Sequence, residues 1–438
     1  MKHLIASTFL LSISFVANSG PAFHPLGESL TYGYSAHHQS TRAYTNNPAV
    51  GASSLGVMNW NVGFGVISSI GVGLEIGPVD DMTKNVDALS EQLNAFSNDT
   101  PPSIQQVSDI KAEFDQFLID AGENGYFQLH TAVAAPLLPL VWTSYDTLGG
   151  SLVLDANVAA IAKLSILDRP IIFNPLEQGA NQLQTNTAAY LKVGAVAESS
   201  LGYSRPLLET DSGAFFGGVR ANYYMVGLRK TVIGISQMED SVQTVEEELT
   251  QDPTLQSGVG LDLGLMWAGN NFRLGATFKN INSPSFDYES VGTNCAQMEE
   301  GTQKDGCFIA NSFANEISLQ EKYVMDAQVT IAGALYSKSR NWVVSAAADT
   351  SPVNDPVANQ IQWATVSAAY ATRSWIIPGV RIGYRKNLAG SQLDAVTAGA
   401  TVFRMLHIDA AYGLEQIEVD GTAAPRMLQA NIGIDLIF

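Results

Sequence analysis

The last twelve residues, Met427 to Phe438, constrain the fold more than any other stretch. They read M-L-Q-A-N-I-G-I-D-L-I-F, with Leu428, Ala430, Ile432, Ile434, Leu436 and Phe438 at every second position and Gln429, Asn431, Gly433 and Asp435 between them. Successive strand side chains point to opposite faces, so one face of this segment seeks an apolar medium and the other tolerates water. An edge strand of a soluble sandwich alternates in the same way. Recurrence of the pattern decides between them.

It recurs along most of the chain. From Trp60 to Ile76 the even positions carry Trp60, Val62, Phe64, Val66, Ser68, Ile70, Val72, Leu74 and Ile76, against mostly Gly, Ser and Asn on the odd ones. Such a run is far longer than the five or six residues of an ordinary strand. At roughly 3.3 Å per residue it crosses a bilayer and projects beyond it. Strands are predicted near 57–77, 125–147, 149–166, 186–204, 213–234, 256–267, 271–281, 321–336, 340–350, 360–373, 375–387, 392–404, 405–415 and 426–438. The number is even, as in closed single-chain bacterial barrels, and alternate connections sort into a long set and a short set, as external loops and periplasmic turns do. Aromatics gather at stripe ends (Trp60, Tyr203, Trp267, Tyr323, Trp342), where an interfacial girdle would lie. The expected fold is an all-β membrane protein, a closed antiparallel transmembrane β-barrel of about 14 strands. The final strand should pair with the Trp60–Ile76 strand, with Asp435 facing the lumen.

Only 15% of the residues are charged, below the usual quarter for soluble domains, and the net charge is −19. That balance argues against nucleic acid as a partner and against polybasic docking to anionic lipid. Residues 1–22 read as a secretory signal: Lys2 and His3, an apolar run from Leu4 to Ala17, then Ser19, Gly20 and Ala22, with a cut after Ser19 or, preferably, Ala22. In an exported chain the two cysteines, Cys295 and Cys307, most simply make one disulfide that pins a polar loop at 282–320. Two thiols without a nearby histidine are too few ligands for a metal site, and no cofactor is expected.

Residues 79–123 change period. Met82, Val86, Leu89, Leu93 and Phe96, then Ile104, Val107, Ile110, Phe114, Phe117 and Leu118, recur at three and four, with Pro101 and Pro102 between them. This predicts two amphipathic helices in an external insert. No G-x-S-x-G, H-E-x-x-H, Walker loop or C-x-x-C occurs, so no enzyme is expected. His407 beside Asp409 reads as a solvated lumen pair rather than a catalytic dyad. Charged residues opposite the apolar stripes (Asp155, Lys163, Lys192, Glu198, Asp262, Arg273, Lys279, Asp326, Arg381, Arg385, His407, Asp409 and Asp435) would line the lumen. They would pair across strands, bind a polar group or hold a plug.

A strand ending the chain on Phe438 is similar to the C-terminal signature by which barrel assembly machinery takes up outer-membrane proteins. The polar segment 23–56 with Asn47-Pro48-Ala49, the helical first external insert and the hairpin Gly258–Trp267/Phe272–Phe286 resemble FadL-type outer-membrane transporters of hydrophobic compounds. The likeness is greatest to the barrel-type conjugal transfer protein TraF branch, although Ser35–Arg42 stands where such relatives commonly carry glycines. The resemblance covers the mature chain. It implies a hatch at 23–56 inside a barrel at 57–438, in the outer membrane of a Gram-negative bacterium amid lipid and lipopolysaccharide. It also implies a channel for a small hydrophobic molecule or, alternatively, a non-transporting cell-surface protein linked to conjugation.

Overall fold

The computed structural model describes residues 25–34, 41–53, 62–95, 103–174, 183–235, 253–299, 301–370 and 374–437. Residues 1–22, read above as a secretory signal, Trp60, the acidic stretch Glu239–Asp252 and Phe438 lie outside them. Fourteen strands close into a ring: β1 (Val62–Ile76), β2, β3 (Gly150–Leu167), β4 (Ala188–Thr210), β5 (Gly213–Gly234), β6 (Leu255–Ala268), β7 (Phe272–Lys279), β8 (Gln328–Tyr336), β9 (Trp342–Asp349), β10 (Trp363–Tyr370), β11 (Gly379–Asn387), β12 (Asp394–Val402), β13 (Leu406–Gly413) and β14 (Met427–Ile437). The station β2 is built of two pieces, Tyr126–Ala134 and Leu140–Ser144, each paired with both β1 and β3. Every neighbouring pair is antiparallel, and β14 closes on β1 from Gly63↔Ile437 to Glu75↔Met427. Closure leaves no unpaired edge to face hydrocarbon, where each open backbone group would cost several kcal/mol.

Period two becomes a lipid-type belt. Leu154, Leu201, Val219, Leu261, Leu274, Ile331, Val344, Val366, Ile382, Val396, Ile408 and Ile432 all stand exposed on the outer face. Their strand neighbours Asp155, Arg220, Asp262, Arg273, Arg381, His407 and Asp409 are buried in the interior. At one end the turns are short, as at 211–212, 269–271 and 403–405; at the other lie the long connections. A paired Trp342 and Tyr370, 5.1 Å apart, and Phe215 against Trp267 stand at the short-turn rim.

Four expectations need correction. The strand expected at 125–147 is broken at Pro136–Pro139, because proline cannot donate to a ladder. The clean alternation of β1 also fails: a bulge between Gly65 and Ile70 turns Ser68 and Ser69 both inward, although Ser68 had been assigned to the outer stripe. The strand expected at 321–336 enters the wall only at Gln328. Its first residues, Lys322–Val324, pair instead with Ser285–Asp287, so Asp326 sits on a link and not on a wall strand. The wall also overruns the turn expected at 205–212, since β4 and β5 pair as far as Thr210↔Gly213.

Three single turns, α1 (Ser29–Tyr32), α2 (Ala43–Asn46) and α3 (Val50–Ser53), precede β1. Above the long-connection rim, helices α4 (Met82–Asn94) and α5 (Ile104–Asn124) follow the three-and-four spacing. Ser103 opens α5 with a capping box through Gln106, the reciprocal pairing that satisfies two orphan amides. Leu89 and Leu93 pack with Ile110, Phe114 and Leu118 in one apolar cluster, which continues into Ile171, Leu183 and Ile233. Ile104, counted in the buried stripe, is exposed because it is the first residue of its helix. Cys295 and Cys307 form a disulfide, and the loop they pin contains an unforeseen helix, Thr302–Ser312.

Candidate functional site: the filled lumen

The N-terminal segment runs inside the barrel. Its described parts, 25–34 and 41–53, contain three single helical turns, and Leu30, Tyr44, Ala49 and Val50 are fully or almost fully buried. Glu28 and Arg42 are the only charged residues between positions 23 and 56. Both are buried, and each meets opposite charge on the wall.

Arg42 extends its guanidinium to β3, where Nη1 lies 3.1 and 3.0 Å from the two carboxylate oxygens of Asp155. Its Nε donates to Ser68 of the β1 bulge at 2.8 Å. The bulge is thus what aims a hydroxyl at Arg42. Across the lumen, Glu28 accepts from Arg381 Nη1 of β11 at 3.1 Å and lies 2.8 Å from His407 Nδ1 of β13. Arg381 also donates through Nε to Asp409, 2.7 Å away, and Thr31 donates to the same carboxylate at 2.6 Å. Thr41 donates to Asp435 of β14 at 2.6 Å. Asp409 is therefore engaged by Arg381 and Thr31, and His407 by Glu28. Of the three roles open to the mixed inner charges, holding a segment distant in sequence engages Asp155, Arg381, His407, Asp409 and Asp435, with Arg381 and Asp409 also paired across the wall.

Asn47-Pro48-Ala49 is seated by shape. Asn47 donates through its amide to the carbonyls of Leu265 and Ala276 at 3.3 Å each, and its Oδ1 accepts from Ala49 N at 2.8 Å. The wall facing it carries Gly218, Gly264 and Gly275. A Cβ at Gly264 would stand 2.2 Å from Asn47 Oδ1, and one at Gly218 would stand 2.4 Å from the Pro48 carbonyl. Glycine is required here because two backbones touch. Beyond the motif, Arg273 donates to the Ser53 carbonyl at 3.2 Å, and Ser204 accepts from Ala52 N at 2.9 Å.

The remaining lumen candidates divide. Asp262 pairs across strands with Arg220, 2.6 Å away, while Arg220 also reaches the Thr45 carbonyl. Arg385 stacks over the Trp363 ring at 3.8 Å and donates to Gln429. Lys192 meets Glu321, 2.6 Å away, on an inward-folded connection. Glu198 and Asp326 line a cavity between the segment and the connections, together with Tyr224, Lys279 and Asp355. It offers about 80 Å³ to water centres. That is room for roughly five to eight waters at 10–15 Å³ each. A second inward connection, 350–362, closes it from the long-loop side: Pro356 rests against Gly194, and the Tyr288 hydroxyl donates to the Pro356 carbonyl. Asp355 accepts from the amides of Val357 and Asn359, and burial pushes its carboxyl up to about 6. Glu28, Arg42, Ser68, Asp355 and the three seat glycines were not singled out from sequence. The isolation of two charges in an otherwise uncharged segment was the signal available for the first two.

No curated protein matches this chain in sequence. Among solved structures it is similar to a deletion mutant of the TodX monoaromatic hydrocarbon channel (13% identity, 96% of this chain and 98% of that one, TM-score 0.45). It is also similar to the Pseudomonas putida toluene transporter TodX (14% identity, 94% and 96%, TM-score 0.37) and to a Pseudomonas aeruginosa FadL homologue (10% identity, 96% and 99%, TM-score 0.39). The family described as F plasmid transfer operon, TraF, protein matches residues 43–349, from the short helix before Asn47-Pro48-Ala49 to the end of β9. That span is more than half of the 438 residues, and the chain belongs to this TraF family of proteins.

Proposed function

We propose that this protein is an outer-membrane channel of a Gram-negative bacterium, gated by residues 23–56 as a hatch and passing a small hydrophobic molecule. The observation that carries the reading is the way the N-terminal segment is held. It is attached to the wall at separate points by buried ion pairs and a glycine seat, with no covalent tie to the wall beyond its own chain. Such contacts can be made and broken as a unit. On its long-loop side Leu26 and Leu30 meet an apolar cluster with Tyr224, Phe286, Tyr323 and Met325, which supports an apolar cargo entering beneath the connections. Helices α4 and α5 and the disulfide loop are then external.

The family description admits a second reading, a surface protein associated with conjugal transfer whose lumen stays closed. The small cavity, with room for only a few waters, is consistent with it. Liposome swelling by purified full-length barrel and by a variant lacking residues 23–56 separates the two. The channel reading expects slow swelling for the full chain and fast swelling for the deletion. No flux from a deletion variant that still migrates as a folded, heat-modifiable barrel would sink it. Mass spectrometry of lipid-soluble material extracted from the purified protein would identify the cargo.

A further inference from the structure

Three lysines form a row on the inner wall near the long-connection rim. Lys163 of β3 lies directly opposite Lys192 of β4, which lies directly opposite Lys230 of β5. Like charges in register repel, so this row is unstable without a counter-charge. The counter-charge comes from outside the wall, on the connection between β7 and β8. The Glu321 carboxylate stands 2.6 Å from Lys192 Nζ and 3.6 Å from Lys230 Nζ. The Ser318 carbonyl accepts from Lys230 Nζ at 2.5 Å. The Tyr288 ring lies beneath both ammonium groups, 4.6 and 5.5 Å from its centroid. Lys163 is met by the side-chain oxygen of Asn359 from the 350–362 connection.

Burial shows the direction of access. The side chains of Lys192 and Lys230 are 8% and 0% exposed, while that of Glu321 is 22% exposed. The carboxylate therefore covers the lysines from the solvent side, on a connection that belongs to no wall strand.

We infer that the lysine row is a binding site for a small multivalent oxyanion, held at rest by Glu321 as an internal substitute ligand. The geometry already contains two anion-like acceptors on the row, one carboxylate and one carbonyl. With Glu321 displaced, Lys192 and Lys230 lose their carboxylate, the acidic groups left beside the row, Asp355 and Glu75, act on Lys163, and a monovalent anion leaves part of the charge uncompensated. A phosphate, or a di- or tricarboxylate, carries the charge and the several acceptors that three ammonium donors require. The row faces the lumen and not the lipid belt, so the ligand is a soluble anion and not a lipid headgroup. This site is independent of the hydrophobic cargo proposed above.

The test is calorimetric titration of the full mature chain in detergent with inorganic phosphate at constant ionic strength. Wild type binds weakly, because Glu321 competes. Glu321→Gln binds roughly ten-fold more tightly, within the 5–150-fold range of ordinary site coupling. Adding Lys192→Met to Glu321→Gln removes the binding, and Lys192→Arg in its place retains it. Heat-modifiable migration verifies that each variant is folded; if Lys192→Met fails that check, Lys163→Met in the Glu321→Gln background serves in its place, with loss of binding expected. The inference is overturned if Glu321→Gln binds phosphate no more tightly than wild type. It is overturned equally if chloride at the same ionic strength reproduces the response, or if the lysine substitutions leave it intact.

Discussion

The N-terminal segment is held in two ways, by charge around Glu28 and Arg42 and by shape at Asn47-Pro48-Ala49. The charged contacts depend on a partner. A buried ion pair is weak net stabilisation but is strongly missed when half of it is removed, since the other half stays buried and uncompensated. The glycine seat depends on an absence. It needs no partner and tolerates no added atom, because close-packed backbone has nowhere to go. The contrast teaches that one segment can be released by neutralising charge or blocked by a single methyl group. The connection 350–362 combines both modes, with a Pro356 peg against Gly194 and the buried Asp355 carboxylate.

Breaking the charged side should have the largest effect. Arg42→Ala leaves Asp155 buried and unpaired, and should weaken seating of the segment by about 3–5 kcal/mol. Limited proteolysis within residues 41–53, slow for wild type, should become fast. Arg42→Lys should not restore protection, because the guanidinium serves Ser68 and Asp155 from different edges and an ammonium cannot. Protection fully restored by lysine would mean that charge alone holds this point.

Asp355 separates the two modes within one connection. Burial pushes its carboxyl from the ordinary 3.8 up to about 6. The folded state therefore holds the proton more tightly than the unfolded state between those values. Stability from this group is full below about pH 3.8 and is lost as pH rises from there through about 6; the size is roughly 3 kcal/mol. The thermal midpoint should fall between about pH 4 and pH 6.5 and level off above that, and Asp355→Asn should flatten that part of the profile while leaving the Pro356 contact in place. An unchanged slope in the variant would assign the pH dependence elsewhere.

Gly264→Ala tests the seat. The new Cβ would meet Asn47 and Ala49 well inside contact distance, and overpacking of this kind costs about 1–3 kcal/mol. Gly202→Ala, on the same wall, meets nothing closer than 3.6 Å and should be neutral. Equal behaviour of the two variants in the proteolysis assay would remove the shape argument. The smallest effect is expected from Asn47→Ala, which loses two amide donations and leaves two carbonyls to water or to strain, about 1–2 kcal/mol. It should raise cleavage modestly and leave barrel migration unchanged.

The outer face was legible in the chain because it is a local property. Side chains alternate residue by residue, and Leu428, Ile432 and Ile434 reach lipid whatever their neighbours are. The closing pair of β1 and β14 followed from the need to leave no edge, and the helices α4 and α5 from spacing and the two prolines between them. Where the reading failed, a non-local partner had won. Ser68 turned inward because Arg42 waits there, and Lys322–Val324 left the wall to pair with Ser285–Asp287. The inner face was legible only as polar. Nothing in the residues around Asp155 or Arg381 names a position 113 residues or some 350 residues away as the counter-ion.

By itself, then, the sequence determined a membrane-spanning antiparallel barrel, its lipid belt and the identity of its inward residues, since periodicity and closure act over a few residues and one sheet. Only the tertiary structure decided what those inward residues hold. Charge pairs, glycine seats and the Lys163–Lys192–Lys230 row with its Glu321 cover are set by register and by chain folding through the lumen. Their free energies depend on distances that no local pattern carries.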